Sequence, residues 1–253
     1  MTTIRLIEEL SLNALPSLQT ILYDGWLLRF TAGANGYPRR ANSIQMLYPS
    51  ILPFDEKIDF CEAHYKARGQ RVVFKMTPAA TDGLATALKA RGYVEDTPTS
   101  LLTLDLASFE PTPDRSDVKV LIEPQISETW SANYARLHNE NPARAAAIHC
   151  ILEQLAVECA FVSLIYKGEP VAFGRGALDQ GWIGFYEVIT DERFRRQGLG
   201  KYLMQTLLTW GKTRGAHSAY LQVMSANAPA VRLYQSLGFR EQYRYWYMQN
   251  RLD

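Results

Sequence analysis

The stretch "FRRQGLGKYLMQTLLTWGK", Phe194–Lys212, decides how the chain is read. An apolar helical pattern starts directly after two glycines, Gly198 and Gly200. The first turn of a helix leaves N–H groups unpaired and carries a partial positive charge. Serine, aspartate or a capping glutamate normally meets that need, and Gln197-Gly198-Leu199-Gly200-Lys201 supplies none of them. The glycines permit a tight turn and a close approach of a ligand. An anion such as a phosphate would complete the turn, with Arg193, Arg195, Arg196 and Lys201 as nearby cations. On the glycines alone, a plain strand-to-helix turn with solvated charges explains the stretch equally well.

The flanks alternate between strand and helix. Upstream, "WIGFYEVIT" (182–190) is too apolar for an edge and predicts a central strand. "AFVSLIYKGEPVAFGRGAL" (160–178) predicts a hairpin turning at Lys167-Gly168-Glu169-Pro170. "VKVLIE" (118–123) is a strand pattern, and "SETWSANYARLH" (127–138) and "ARAAAIHCILEQLA" (143–156) are helical. Downstream come "AYLQVM" as a strand, "NAPAVRLYQSL" as a helix ended by Gly238, and "YRYWYM" as a closing strand. The class this predicts is α+β (mixed α/β) around a mixed sheet.

The polar, proline-bearing "EPTPDRSD" (110–117) reads as a linker, which predicts one domain over 1–111 and another over 112–253. A shift of 146 positions lays Gly69 on Gly215 and Gly92 on Gly238. It also lays "DGLATALKARGY" on "APAVRLYQSLGF", and "SLLTLDL" on "WYMQNRL". Two similar folds in tandem is the economical reading; chance likeness between two αβ segments is the alternative. The same shift sets "PSILPF" (49–54) against "RRQGLG", so the first copy has two prolines and no glycine in the loop.

Bulk properties exclude several classes. The net charge of +1 is well mixed, so nothing predicts a nucleic-acid partner. No apolar run approaches the roughly 18 residues of a membrane span, and the amphipathic start "MTTIRLIEELSLNAL" does not resemble a signal peptide. Cys61, Cys150 and Cys159 suggest no disulfide framework, and with His64, His138, His149 and His217 they form no metal-spaced set. Cys150 and Cys159 read as packed thiols. A cytoplasmic protein without a bound metal is expected, and homodimerisation is left open.

The loop is neither a Walker loop nor a dinucleotide fingerprint. It resembles the acyl-CoA loop of the GNAT superfamily of N-acetyltransferases, [QR]-x-x-G-x-[GA], through Arg195, Gly198 and Gly200. The family's N-x-x-A-x-x-x-Y-x-x-x-G-F follows as Asn227, Ala230, Tyr234, Gly238 and Phe239. The resemblance covers about residues 117–250. The first half looks like a degenerate copy, giving a tandem GNAT, and its "GWLLRF" and "RRANSI" resemble the first half of bacterial two-domain GNAT proteins.

The resemblance implies that an acetyl group moves from acetyl-CoA to an amine. Arg195, Arg196, Gln197, Gly198, Leu199, Gly200 and Lys201 would hold the cofactor's diphosphate, with Asn227 as N-cap of the helix that follows. Backbone groups of Val188, Ile189 and Thr190 would hold the pantetheine arm, and an N–H there would stabilise a developing oxyanion. Tyr234 stands where the family keeps the acid that protonates the departing thiolate; a core aromatic is the alternative. Glu187 is the candidate base, expected by alternation on one face with Ile183, Phe185 and Ile189; the alternative is a buried structural carboxylate paired with an arginine or lysine. The GNAT family places its base variably. Aromatics near Trp182, Tyr186 and the C-terminus favour a small primary-amine acceptor, with "YRYWYM" lining its pocket and "RRAN" (39–42) near the acceptor cleft or in a solvated turn. The other readings are a lysine or N-terminal protein acetyltransferase and a non-catalytic acyl-CoA-binding module.

Overall fold

The computed structural model describes residues 3–31, 39–80, 82–96, 98–111 and 113–250. The chain is α+β, as the sequence predicts, and it forms two compact units. One comprises Met1–Ser100, Met224–Ala226 and Tyr243–Asp253; the other comprises Leu101–Val223 and Asn227–Gln242. Residue 112, the expected boundary, lies outside the described residues.

The first unit opens with helix α1 (Thr3–Ala14), which buries Ile7, Leu10 and Ala14. Strands β1 (Gln19–Tyr23) and β2 (Trp26–Phe30) form a hairpin. Its two-residue turn, Asp24-Gly25, has positive φ at both positions, the backbone that matches strand twist. Next come β3 (Ile44–Met46), α2 (Phe54–Lys66), β4 (Val73–Met76), α3 (Leu84–Ala90) and β5 (Val94–Glu95). The core gathers Trp26, Phe30, Ile58, Tyr65 and Phe74. β3 and β4 run parallel. Helix α2 starts at Pro53 and carries Asp55 and Glu56 in its first turn, so its own acids answer its dipole.

The second unit holds β6 (Thr99–Asp105) from Leu101 onward, then β7 (Val118–Glu123), α4 (Glu128–His138), α5 (Pro142–Leu152), β8 (Glu158–Tyr166), β9 (Glu169–Asp179) and β10 (Trp182–Thr190). Then follow α6 (Leu199–Thr213), β11 (Ser218–Met224), α7 (Ala228–Ser236) and finally β12 (Arg240–Gln249), which from Tyr243 onward belongs to the first unit. The sheet of this unit has the order β6-β11-β10-β9-β8-β7. β7 through β10 pair antiparallel in sequence order, and β10 pairs parallel with β11. Helix α6 lies close on one face because glycines clear its path. A Cβ on Gly211 would stand 2.6 Å from Ile183, and Cβ atoms on Gly174 and Gly176 would crowd Leu203 and Leu207. Helix α4 covers the other face, where the Trp130 ring meets Phe161 and Phe173 edge-on and its Nε1 donates to the Val162 carbonyl.

The closing strands have changed places. Under the shift of 146, β4 matches β11 and β6 matches β12. Yet β12 pairs antiparallel with β4 and β5 of the first unit, while β6 neighbours β11 in the second. Each copy's final strand therefore completes the other copy's sheet. The aromatic run is buried accordingly in the first unit. The Tyr243 hydroxyl donates to Glu8 at 2.6 Å, Tyr245 lies under Lys75, and Tyr247 lies under Arg39. The described contacts of these tyrosines are thus structural, and Arg39 of "RRAN" pairs with Asp96.

Candidate active site

The second unit's parallel strands come apart midway. β10 pairs with β11 from Trp182↔Ser218 to Phe185↔Leu221 and no further, although both strands continue. On its other side β10 stays bonded to β9 as far as Thr190↔Ala172, with a register shift between Tyr186 and Ile189. The shift is a β-bulge, and a bulge bends its strand and sharpens the twist. At its centre Glu187 has φ +50°, a conformation that costs a side-chain-bearing residue about 1–3 kcal/mol. Beyond the bulge, the backbone of Val188, Ile189 and Thr190 that faces β11 has no ladder partner there. This leaves peptide groups of β10 without a neighbouring strand on that side.

The bulge also corrects the expected alternation. Ile183 and Phe185 belong to the α6-side core, and Val188, not Glu187, packs against that core with them. Glu187 turns to the opposite face, where its Oε2 accepts from Arg175 Nε at 2.6 Å. Arg175 is 0% exposed and Glu187 is 8% exposed. The guanidinium stands over the Tyr186 ring at 4.6 Å and within 3.9 Å of the Cys159 sulfur, whose thiol pKa burial pushes up. The Tyr186 hydroxyl in turn meets that of Tyr220 at 2.8 Å. The sequence offered this ion pair as the alternative role for Glu187. Its partner was not singled out, though an arginine in "VAFGRGAL" is a legible anomaly, since an apolar strand rarely keeps an unpaired guanidinium.

After β10, Asp191 accepts from the Arg193 backbone, and Arg193 also binds Asp191 and Glu169 through its side chain. Arg193 is thereby committed. Arg195 pairs with Glu192 on the exposed surface. Arg196 has φ +62° and Gly198 φ +77°, so the chain reverses sharply into α6. Gly198 is the N-cap; no side chain caps the helix, and its first turn holds no acid. Helices α4, α5 and α7 are capped by Ser127, Asn141 and Asn227 respectively. Asn227 serves as that cap, accepting from the Ala230 N–H at 3.3 Å. Among the described residues, Arg196 and Lys201 make no ion pair.

One residue of the loop's support was missed. Arg115, in the stretch read as linker, donates from Nη1 to the Gln197 carbonyl at 3.0 Å, and its backbone N–H donates to the Tyr202 hydroxyl at 3.2 Å. Nothing local in "EPTPDRSD" signals this, because the partners are 82 and 87 residues away.

The strand end, the helix start and α7 converge at Gly200. A Cβ there would stand 3.3 Å from Thr190 Oγ1 and 3.6 Å from Leu233 Cδ2. The next residue after Leu233 is Tyr234, 8% exposed, with its ring edge-on to Phe239 at 6.2 Å. Its hydroxyl has no hydrogen-bond partner among the described residues, and burial pushes the phenol pKa up to about 12. These features fit acetyl-CoA. An uncapped helix start with two spare cations suits a diphosphate, strand amides without a ladder partner suit the pantetheine arm, and the Tyr234 phenol lies on the helix whose Leu233 meets the Gly200 turn.

The sequence matches, over residues 1–248, the family model described as "Probable histone acetyltransferase Rv0428c C-terminal". It is 28% identical over 240 residues to the "Uncharacterized N-acetyltransferase YobR" of Bacillus subtilis, covering 94% of this chain and 95% of that one. Its fold is similar to that of a GCN5-related N-acetyltransferase from Kribbella flavida, with a TM-score of 0.74, 17% identity and coverage of 100% and 97% of the two chains. It is also similar to a tandem GNAT protein from the clavulanic acid biosynthesis pathway, with a TM-score of 0.70, 13% identity and coverage of 98% and 89%. The chain belongs to the Rv0428c C-terminal family and is an acyltransferase of the GNAT type.

Proposed function

We propose that the protein moves an acetyl group from acetyl-CoA to the primary amine of a small molecule by direct attack of the amine. The observation that carries this reading is the parting of β10 from β11 in front of an uncapped, acid-free helix start. The thioester supplies an acyl carbon already activated for attack. The chain's residues do the rest. N–H groups from Arg196 to Gly200, with Arg196 and Lys201, hold the diphosphate. The free backbone edge of Val188–Thr190 aligns the pantetheine arm, and an N–H there steadies negative charge on the carbonyl oxygen.

Tyr234 donates toward the departing sulfur. A phenol near 12 keeps its proton at neutral pH, so it acts first as a hydrogen-bond donor to a sulfur whose own pKa is about 8.5. Glu187 serves the acceptor side, where its charge attracts and orients an ammonium. Its tie to Arg175 engages one carboxylate oxygen, Oε2. The first copy, with Pro49 and Pro53 in place of the loop and acids at the start of α2, has no equivalent diphosphate seat.

The test is release of CoA thiol from acetyl-CoA across amino acids, polyamines, amino sugars and lysine-containing peptides. Turnover of small amines, falling on the order of 10²-fold in Tyr234→Phe, supports the proposal. Turnover confined to peptides would replace it with the protein-acceptor reading, which the matched family's description favours. Tight CoA binding without transfer to any acceptor would leave a binding module.

A further inference from the structure

The second unit's sheet ends on β7. The strand pairs with β8 in unbroken register from Val118↔Tyr166 to Glu123↔Phe161, and among the described residues no strand lies on its outer side. An open edge is a row of unpaired N–H and C=O groups, and proteins blunt such edges with proline, bulges or charge, lysine above all. The sequence of β7, VKVLIE, has no proline, and its pairing shows no bulge. Two of its apolar side chains face water: Leu121 is 40% exposed and Ile122 is 45% exposed. Val118 and Val120 pack on the α6-side core. Val120 and Ile122 also line a groove of about 370 Å³ with Tyr202, Thr206 and Trp210 of α6. Lys119, Leu121 and Glu123 share the opposite face by alternation. Lys119 and Glu123 stand two places on either side of Leu121, and among the described residues neither makes an ion pair.

We propose that β7 is the docking edge for a second copy of this chain, the two strands pairing antiparallel about a two-fold axis through Leu121. The charge pattern selects this occupant. The register sets Lys119 against the partner's Glu123 and Glu123 against the partner's Lys119, so one self-complementary strand makes two opposite-charge pairs. It also sets Leu121 against the partner's Leu121, and Val120 against the partner's Ile122, which extends the apolar floor of the groove beside α6. Moving the partner by two residues sets Leu121 against a lysine in one direction and against a glutamate in the other, so charge fixes the register. Lys119 thereby works as a selector. Against an arbitrary strand a lysine on the edge opposes pairing; against this partner it is matched. The first unit's outermost strand, β1, carries no charged residue and has no such complement. The proposal does not depend on the acetyltransferase reading, since β7 contributes none of the residues assigned to it.

The test is sedimentation velocity of the full chain over a dilution series, with Tm and acetyl-CoA calorimetry alongside. Wild type should sediment at twice the chain mass. Lys119→Glu and Glu123→Lys should each raise the dimer Kd by at least about tenfold, because like charges then lie directly opposite. An equimolar mixture of the two variants should re-form a dimer, as the acids of one chain meet the lysines of the other. Leu121→Lys, which puts two ammonium groups on the axis, should be monomeric. Tm and acetyl-CoA affinity should stay at the wild-type values throughout. Wild type that is monomeric at its highest soluble concentration overturns the proposal, as does a dimer indifferent to both charge reversals. Single variants that stay monomeric when mixed overturn it too. Were a single variant to lose Tm, the swapped chain Lys119→Glu/Glu123→Lys decides: it restores both pairs and must dimerise. Wild type that dimerises but binds no acetyl-CoA leaves this proposal standing and removes the transferase reading.

Discussion

Glu187 holds a left-handed backbone inside a strand, and its carboxylate is bonded to the buried Arg175. Removing one partner of a buried pair costs far more than the pair contributes, because the other charge stays behind without water. Glu187→Gln should therefore lower unfolding free energy by about 3 kcal/mol in urea titrations, and Arg175→Met in the same background should restore part of the loss. Tyr234 gives a prediction of opposite character. Its phenol is raised by burial to about 12, above the usual 10, so the folded protein holds that proton more tightly than the unfolded chain. The difference is inert below pH 10 and weakens folding only as pH climbs from 10 toward 12. Spectrophotometric titration should show this tyrosine ionising later than the exposed phenols, and any loss of kcat between pH 8 and 10 should persist unchanged in Tyr234→Phe. Individual residues were unevenly legible. Tyr234 and Gly198 announce themselves through short-range motifs. The turn of Glu187 to the Arg175 side was hidden, because a bulge breaks the two-residue period that sequence reading relies on.

Among the elements, α6 behaves unlike its neighbours: three of the helices around it carry a side-chain cap, and it carries none. A carboxylate placed at its front would do the ligand's work. Lys201→Glu should stabilise the ligand-free protein by about 0.5–1 kcal/mol and weaken acetyl-CoA binding at least tenfold by calorimetry, an inverse relation that general damage would not produce. Arg115→Ala should raise the acetyl-CoA Kd severalfold with only a small change in Tm, since it removes a brace on Gln197, an exposed pair with Asp117 and a 5.8 Å contact over the Tyr202 ring. Element order and type were plain in the sequence. The hairpin at Lys167-Gly168 and the stop at Gly238 both have the positive φ their glycines suggest. The parting of β10 from β11 was not plain, because where two paired strands separate is set by the bulge and by what lies between them.

For the molecule as a whole, the exchange of β6 and β12 sets the terms. A fragment covering 113–253 lacks β6 and carries β12 without β4 or β5. It should be insoluble, or should lack near-ultraviolet circular dichroism and acetyl-CoA binding. Co-expression with 1–112 should recover a complex that copurifies and turns over. The tandem was readable from matched glycines. The exchange was not, because "LLTLDL" and "YWYMQN" both suit the same slot and nothing in either names its neighbour.

That crossed closure also decides what can be spared. The first half carries prolines where the second has its glycine loop, yet it cannot be discarded, because it houses the other half's last ribbon. An apparently idle half is thus an architectural hostage, and mutations that wreck its folding should lower activity although they touch none of the residues proposed to react.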